Sequence, residues 1–403
     1  AISYFQAQEF GVTVQLLKTF HSLTTPLVTC GRIFALYNGP LLPHAGLIEG
    51  FRIQQSNHDL ILLSGQDTEV PEGFEPFARL SEDSSHWLRS FELTSVGELN
   101  RACVDGRVGE VIRVAEGYHE KRLAQIADEI VARSGVKIVC VAGPSSSGKT
   151  TFIRRLSIQL RINGLVPEGI SLDDYYLDRD QVPLNDRGEK DFETLRALNL
   201  PLLAEHLRTL LEGREQATAR YDFRTGMCDK TGGRIVQLTE QKLLVLEGIH
   251  GLNPELLSGV VPPENIFRIF IQPMLTLPID TVSHINPSDV RLVRRIVRDR
   301  RQRGFATADN IRRWGDVKAG EHAYIFPFVP EADAVFDTSL IYELSVLKVY
   351  ADRYLLEVPQ DHTAYATAFR LRQLLDQFVA ISPDDVPSTS ILREFIGKGS
   401  FEN

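Results

Sequence analysis

Gly143-Pro144-Ser145-Ser146-Ser147-Gly148-Lys149-Thr150 follows the pattern G-x-x-x-x-G-K-[ST], in which each residue type answers a need of polyphosphate binding. Gly143 and Gly148 let the backbone curl, so that successive N–H groups from Ser145 to Gly148, and the N-terminus of the next helix, face an anion. Lys149 brings a compact positive charge to the outer phosphates. The Thr150 hydroxyl is a hard oxygen suited to Mg²⁺, and Thr151 extends the cradle into the first helical turn. Such a loop serves kinases, GTPases and motors alike, so the carboxylates that converge on it decide among them. Asp173, in Ser171-Leu172-Asp173-Asp174-Tyr175-Tyr176, and Glu247, in Val245-Leu246-Glu247-Gly248-Ile249, each come directly after an apolar run. In an open parallel sheet the ligand crevice lies beyond the carboxyl ends of the strands. Both acids are therefore expected to face the phosphates, one holding Mg²⁺ and the other accepting a proton from an attacking hydroxyl. An isolated Asp pair more often caps a helix or opens a turn; the loop upstream reverses that preference.

A third feature is the basic run from Arg291 to Gly304, where Arg291, Arg295 and Arg298 share one helix face and Leu292 and Ile296 occupy another. A charge run is commonly a solvated face. Beside a phosphate loop it reads as a lid that supplies positive charge to a migrating phosphoryl group, with Gly304 as its hinge.

The elements that must position these residues surround them. Val136 to Ala142 is an almost continuous apolar run, as a strand buried on both faces requires, and Phe152, Leu156 and Leu160 mark an amphipathic helix that stops at Asn163-Gly164. Further strands are expected at 170–172, 243–246, 266–271 and 334–336, with helical stretches between them. This alternation predicts an α/β domain, a doubly wound parallel sheet, over 136–350. Residues 1–80 mix short apolar runs with turn signals and read as a smaller α+β N-terminal domain. Residues 81–135 read as a helical connector, and 351–403 as a helical C-terminal extension whose tail after Pro383 is packed or swapped.

Composition narrows the class. With 43% apolar and 24% charged residues and no long apolar run, the chain does not read as a membrane protein. A net charge of −9 argues against wholesale nucleic-acid binding, although the N-terminal module leaves such contact open. Cys30, Cys103, Cys140 and Cys228 are too few and too scattered for a disulfide framework or a zinc ribbon, so a cytoplasmic setting is expected. The chain opens on Ala1 rather than Met, which leaves open whether residues precede it.

Taken together, the glycine loop, the Ser171–Tyr176 segment, Tyr221-Asp222-Phe223, Leu246-Glu247-Gly248-Ile249 and the R-R-x-x-R-D-x-x-x-R-G run from Arg294 resemble, in that order, the phosphoribulokinase/uridine kinase family. The resemblance covers roughly 136–350. Glu247 to Asn253, Ile325 to Phe328 and Ser390 to Gly397 resemble more narrowly a bacterial subgroup, in which such a domain comes after a module similar to the N-terminal region of threonyl-tRNA synthetase.

The resemblance implies an ATP-dependent, Mg²⁺-requiring kinase for a small-molecule acceptor, most readily the 5'-hydroxyl of uridine or a related nucleoside, and a homo-oligomer. It makes Asp173 the general base, with Thr150 and Glu247 serving the metal and Lys149 the phosphates. Arg295, Arg298 and Arg303 match lid positions, Glu193 the carboxylate on the nucleoside sugar, and Tyr221 the aromatic against the base. Gly226 stands where well-known uridine kinases carry a histidine that reads the pyrimidine, and Phe305 where they carry another lid arginine. Phosphoryl transfer is thus better supported than uridine itself, and a phosphorylated sugar or another alcohol stays open as acceptor. A nucleotide-dependent switch or RNA-associated module is the rival outside catalysis, disfavoured because the chain shows no N-K-x-D-like guanine-reading motif. In the front loop, Tyr37 and Leu41 stand where the synthetase carries editing residues, so editing hydrolysis is not expected.

Overall fold

The computed structural model of the chain describes residues 1–403 apart from 21–22, 38, 43, 49, 57–58, 65–86, 186–187, 275–276 and 402–403. Asn38 and Pro43 of the front loop, and the boundary expected near residue 80, lie outside the described residues. Two short helices, α1 (Ile2–Ala7) and α2 (Gly11–Leu17), precede an antiparallel pair, β1 (Leu27–Cys30) with β2 (Ile33–Leu36). A second pair joins β3 (Phe51–Ser56) to β4 (Asp59–Ser64). Helix α3 (Val96–Val104) starts where the Ser95 hydroxyl accepts from the Glu98 N–H, while the Glu98 carboxylate accepts from the Thr94 N–H. The first bond satisfies an orphan donor of the helix start, and the second ties the residue before the cap to the same turn. The helical connector expected over 81–135 includes the long helix α4 (Val108–Ala132).

The chemistry-bearing residues sit on the elements after α4. Strand β5 (Ile138–Ala142) is wholly buried and runs into α5 (Lys149–Ile162) through the glycine loop. Next come β6 (Val166–Ser171) and α6 (Leu200–Leu211). Four short strands, β7 (Gln216–Ala217), β8 (Arg220–Asp222), β9 (Met227–Asp229) and β10 (Ile235–Val236), then pair as β7 with β10 and β8 with β9. They were not expected, because strands of two or three residues carry no usable alternation. The tip of the β8–β9 hairpin is set by side chains instead: Asp222 Oδ1 accepts from the Arg224 and Thr225 N–H groups, and Gly226 turns at φ +76°. Strands β11 (Lys242–Glu247) and β12 (Ile266–Gln272) precede α7 (Pro287–Gln302) and α8 (Thr307–Tyr324). The chain closes with β13 (Ala334–Asp337), α9 (Glu343–Leu356), α10 (Tyr365–Asp376) and the single turn α11 (Arg393–Ile396).

Five strands form one parallel sheet in the order β13-β12-β5-β11-β6, with β5 at its centre. Register decides the site: Glu247 pairs with Val141 of β5 on one side and Ser171 of β6 on the other, so the ends of three strands and the loops beyond them meet at one edge. One face of the sheet packs on α6 (Leu203, Leu207, Leu210). The other packs into a core that takes in α4, α5, α7, α9 and α10, and also Phe5 and Leu16 of the N-terminal helices and Ile391, Leu392, Phe395 and Ile396 of the tail.

Within that core, two arginines of α7 reach the back of the glycine loop. Arg294 is fully buried; it pairs with Glu343 at 2.6 Å, donates to the Thr338 carbonyl at 2.8 Å and touches the Ser146 and Ser147 carbonyls at 3.4 and 3.5 Å. Removing one partner of such a buried pair leaves the other charge uncompensated. Arg294→Ala should therefore lower the unfolding free energy by about 3–5 kcal/mol in urea denaturation, and Arg294→Met with Glu343→Leu should recover much of that loss.

Candidate active site

The loop's shape comes from its glycines. A methyl group on Gly143 would lie 2.1 Å from the Ile271 carbonyl oxygen, a backbone atom that cannot move aside, and Gly148 sits at φ +91° just before the first turn of α5. Ser146 also has positive φ, at 60°. Lys149 lies back on its own loop, its Nζ donating to the carbonyls of Gly143 at 2.8 Å and Pro144 at 3.2 Å. Burial pushes the Lys149 ammonium below its usual range, and the nearby Glu247 and Asp173 carboxylates oppose that shift.

Glu247 ends β11, and its Oε1 accepts from the Thr150 hydroxyl at 3.1 Å. Asp173 stands on a 3-10 turn (Leu172–Tyr175) started by Ser171, whose hydroxyl accepts from the Asp173 N–H. Asp174, its neighbour, serves the fold by accepting from the Tyr221 N–H at 3.3 Å. Burial raises the affinity of both Asp173 and Glu247 for a proton, and Lys149 pulls the other way. Glu193 is raised as well, by burial and then by the Glu321 charge. A cavity of about 440 Å³ gathers Ser145 to Thr150, Asp173, Glu193 and Glu247, and Arg295, Arg298 and Arg303 line it too.

The basic run divides into two sets. Arg291 is buried in a two-pronged pair with Glu321, at 2.5 and 2.7 Å, and donates to the Ser145 carbonyl. Arg291 is therefore committed to the fold, whereas Arg295, Arg298 and Arg303 stay on the cavity. Asp299, 1% exposed, lies within 3.5 Å of all three and keeps these like charges together. Arg295 also donates to the Ser145 hydroxyl at 3.0 Å, so it bridges α7 and the loop.

Three expected residues lie apart from that cavity. Gly143 shapes the loop from below and does not line it. Thr151 faces an adjoining space of about 280 Å³. Tyr221 belongs to the β8–β9 hairpin and lines a third cavity of about 610 Å³; its ring meets Tyr176, a wall of the first cavity, edge-on at 5.7 Å. Two carboxylates went unread in the sequence: Glu321, which accepts from the Ser145 N–H at 3.1 Å, and Glu394, which accepts from the Thr151 N–H at 3.1 Å. Neither stands in a spacing that ties it to the loop, which lies 176 and 243 residues away respectively.

The donor set fits a divalent cation. Thr150 and Glu247 present two hard oxygens side by side in a cavity with an excess of carboxylates. Among the described residues no group of three or more His, Cys, Asp or Glu side chains is placed to hold a metal alone. A two-donor arrangement suits an ion completed by phosphate oxygens and water. Among the described residues, no helix is long and apolar enough to cross a membrane.

Comparison with known proteins agrees with this geometry. The Phosphoribulokinase / Uridine kinase family matches residues 138–341. A uridine kinase of Halalkalibacterium halodurans is 31% identical over 200 residues, covering 49% of this chain and 84% of that protein. A uridine kinase of Ligilactobacillus salivarius is 30% identical, covering 49% and 83%. Among solved structures, phosphoribulokinase from Rhodobacter spheroides overlaps 50% of this chain and 70% of its own at 22% identity, with a TM-score of 0.33 that is too low to bear on the fold. The chain belongs to the phosphoribulokinase/uridine kinase family, and it is an ATP-dependent kinase that acts on a hydroxyl group.

Proposed function

We propose that the acceptor is the 5'-hydroxyl of uridine or a related nucleoside, and that Asp173 is the base that takes its proton. The observation that carries this reading is the one cavity lined by Asp173, the Lys149 cradle and Glu193, with the aromatic hairpin of Tyr221 and Phe223 next to it through Tyr176. Glu193 would receive the sugar hydroxyls and the hairpin rings the base. Asp173 would orient the hydroxyl for in-line attack on the γ-phosphoryl group. Its raised proton affinity, caused by burial, suits it to accept a proton as the new O–P bond forms.

Lys149 would exchange the carbonyls of Gly143 and Pro144 for phosphate oxygens, and Arg295, Arg298 and Arg303 would balance charge on the migrating group. Thr150 and Glu247 would hold Mg²⁺, which when bound neutralises charge on the phosphate oxygens. Gly226, in place of a base-reading histidine, has the Arg179 side chain packed against it, so this end of the site discriminates by different chemistry. The free thiols of Cys103, Cys140 and Cys228 suit a cytoplasmic enzyme.

A panel of nucleosides, sugar phosphates and simple alcohols, assayed for ADP release, should show acceptor-dependent turnover with a pyrimidine nucleoside. Hydrolysis that ignores every acceptor would instead favour a nucleotide switch. Asp173→Asn should bind ATP nearly as the parent does and turn over about 10² more slowly, or worse. Because the working base must be unprotonated and its pKa lies above the ordinary carboxylate value, parent kcat/KM should fall as pH drops through that raised pKa. The same acid limb should be missing from the Asp173→Asn profile.

A further inference from the structure

Residues beyond the family match, which ends at 341, return to the glycine loop. Ser390, Ile391, Leu392, Phe395 and Ile396 are at most 1% exposed, so the tail is part of the core. Arg393 fastens it by donating to the carbonyls of Pro383, Val386, Pro387 and Gly397. Ile391 presses on the loop so closely that a methyl group on Gly148 would come within 2.6 Å of it. On this fixed mount the Glu394 side chain enters the cavity wall and accepts from the Thr151 N–H at 3.1 Å.

That N–H belongs to the first turn of α5, whose N-cap, Gly148, offers no side-chain acceptor. A helix start beyond a glycine loop is where an anion is most stable. Glu394 supplies one, and it forms no ion pair of its own among the described residues. Its charge is felt by Lys149, Glu247 and Arg303, the groups that surround the phosphate position.

We propose that Glu394 is a resident anion of the donor site: its carboxylate holds, in the free protein, the N–H that a phosphate group of the nucleotide takes on binding, so the tail sets the affinity for the donor. Two anions cannot share one N–H, and like charges repel most strongly where water is scarce. Binding therefore turns the Glu394 side chain away while the buried backbone of α11 stays in place. Glu394 is then an affinity-determining residue, not one that touches the reacting atoms.

The inference rests on the reading that the cradle takes the donor's phosphates and is independent of which acceptor is used. The test is ATP binding by calorimetry without acceptor, on the parent, Glu394→Gln and Glu394→Ala. Gln keeps an acceptor for the Thr151 N–H and loses the charge; Ala loses both. Both variants should bind ATP more tightly, on the order of tenfold. A helix cap with no other part to play would lower the thermal midpoint of Glu394→Ala and leave ATP affinity where it was. Equal or weaker ATP binding by both folded variants overturns the proposal. A parent that binds ATP and phosphorylates no nucleoside refutes the nucleoside acceptor, with the Glu394 comparison still decisive.

Discussion

Two buried guanidinium groups hold the back of the glycine loop, and the site depends on that grip. Arg291 donates to the Ser145 carbonyl, and Arg294 contacts the carbonyls of Ser146 and Ser147. These contacts fix the path of the loop ahead of α5, and Ser145 adds its N–H to the same grip by donating to Glu321, the carboxylate that meets Arg291. The arginines are themselves costly to bury and stay only because Glu321 and Glu343 meet them with short, charge-assisted bonds. Helices α7, α8 and α9 are thus joined to the loop by charge as well as by apolar packing.

The front of the loop has the opposite problem. Asp173, Glu193, Glu247 and Glu394 line one small cavity with Lys149 and three arginines. Two unit charges 4 Å apart interact by about 1 kcal/mol in water and about 4 kcal/mol at an effective dielectric constant of roughly 20. Each partial removal of water therefore magnifies both the attractions and the repulsions. Desolvation raises the carboxylates and depresses the lysine, while their opposite charges hold each shift in check.

Much of this was legible in the sequence, and the reason differs from part to part. The loop could be read because the same residues encode its turn and its chemistry, and β5 and α5 frame it with strong periodicity. Asp173 and Glu247 could be placed because a parallel sheet brings its strand ends to one edge, and the register of Glu247 between Val141 and Ser171 shows the rule at work. The arginine run could be read as basic but not sorted. Helical spacing assigns Arg291 and Arg295 to the same face, while their partners, Glu321 and Asn310, come from a different helix. The ring of Tyr221 meets Tyr176 and Phe223 edge-on in a hairpin whose strands are too short to announce themselves in the sequence. Glu321 and Glu394 meet the loop through tertiary packing alone, which no local pattern records.

The continuous core has a consequence for what counts as a unit in this chain. Leu123, Ile126 and Ile130 of α4 stand before the family segment and Ile391, Leu392 and Phe395 after it, yet all six lie in the same apolar cluster as the sheet and α5. Excising the segment at the family's own limits would strip a flank from that cluster on each side and leave a wide greasy surface facing water. The autonomy of the kinase fold is therefore borrowed: here its hydrophobic interior closes only when the sequences on both shoulders are present.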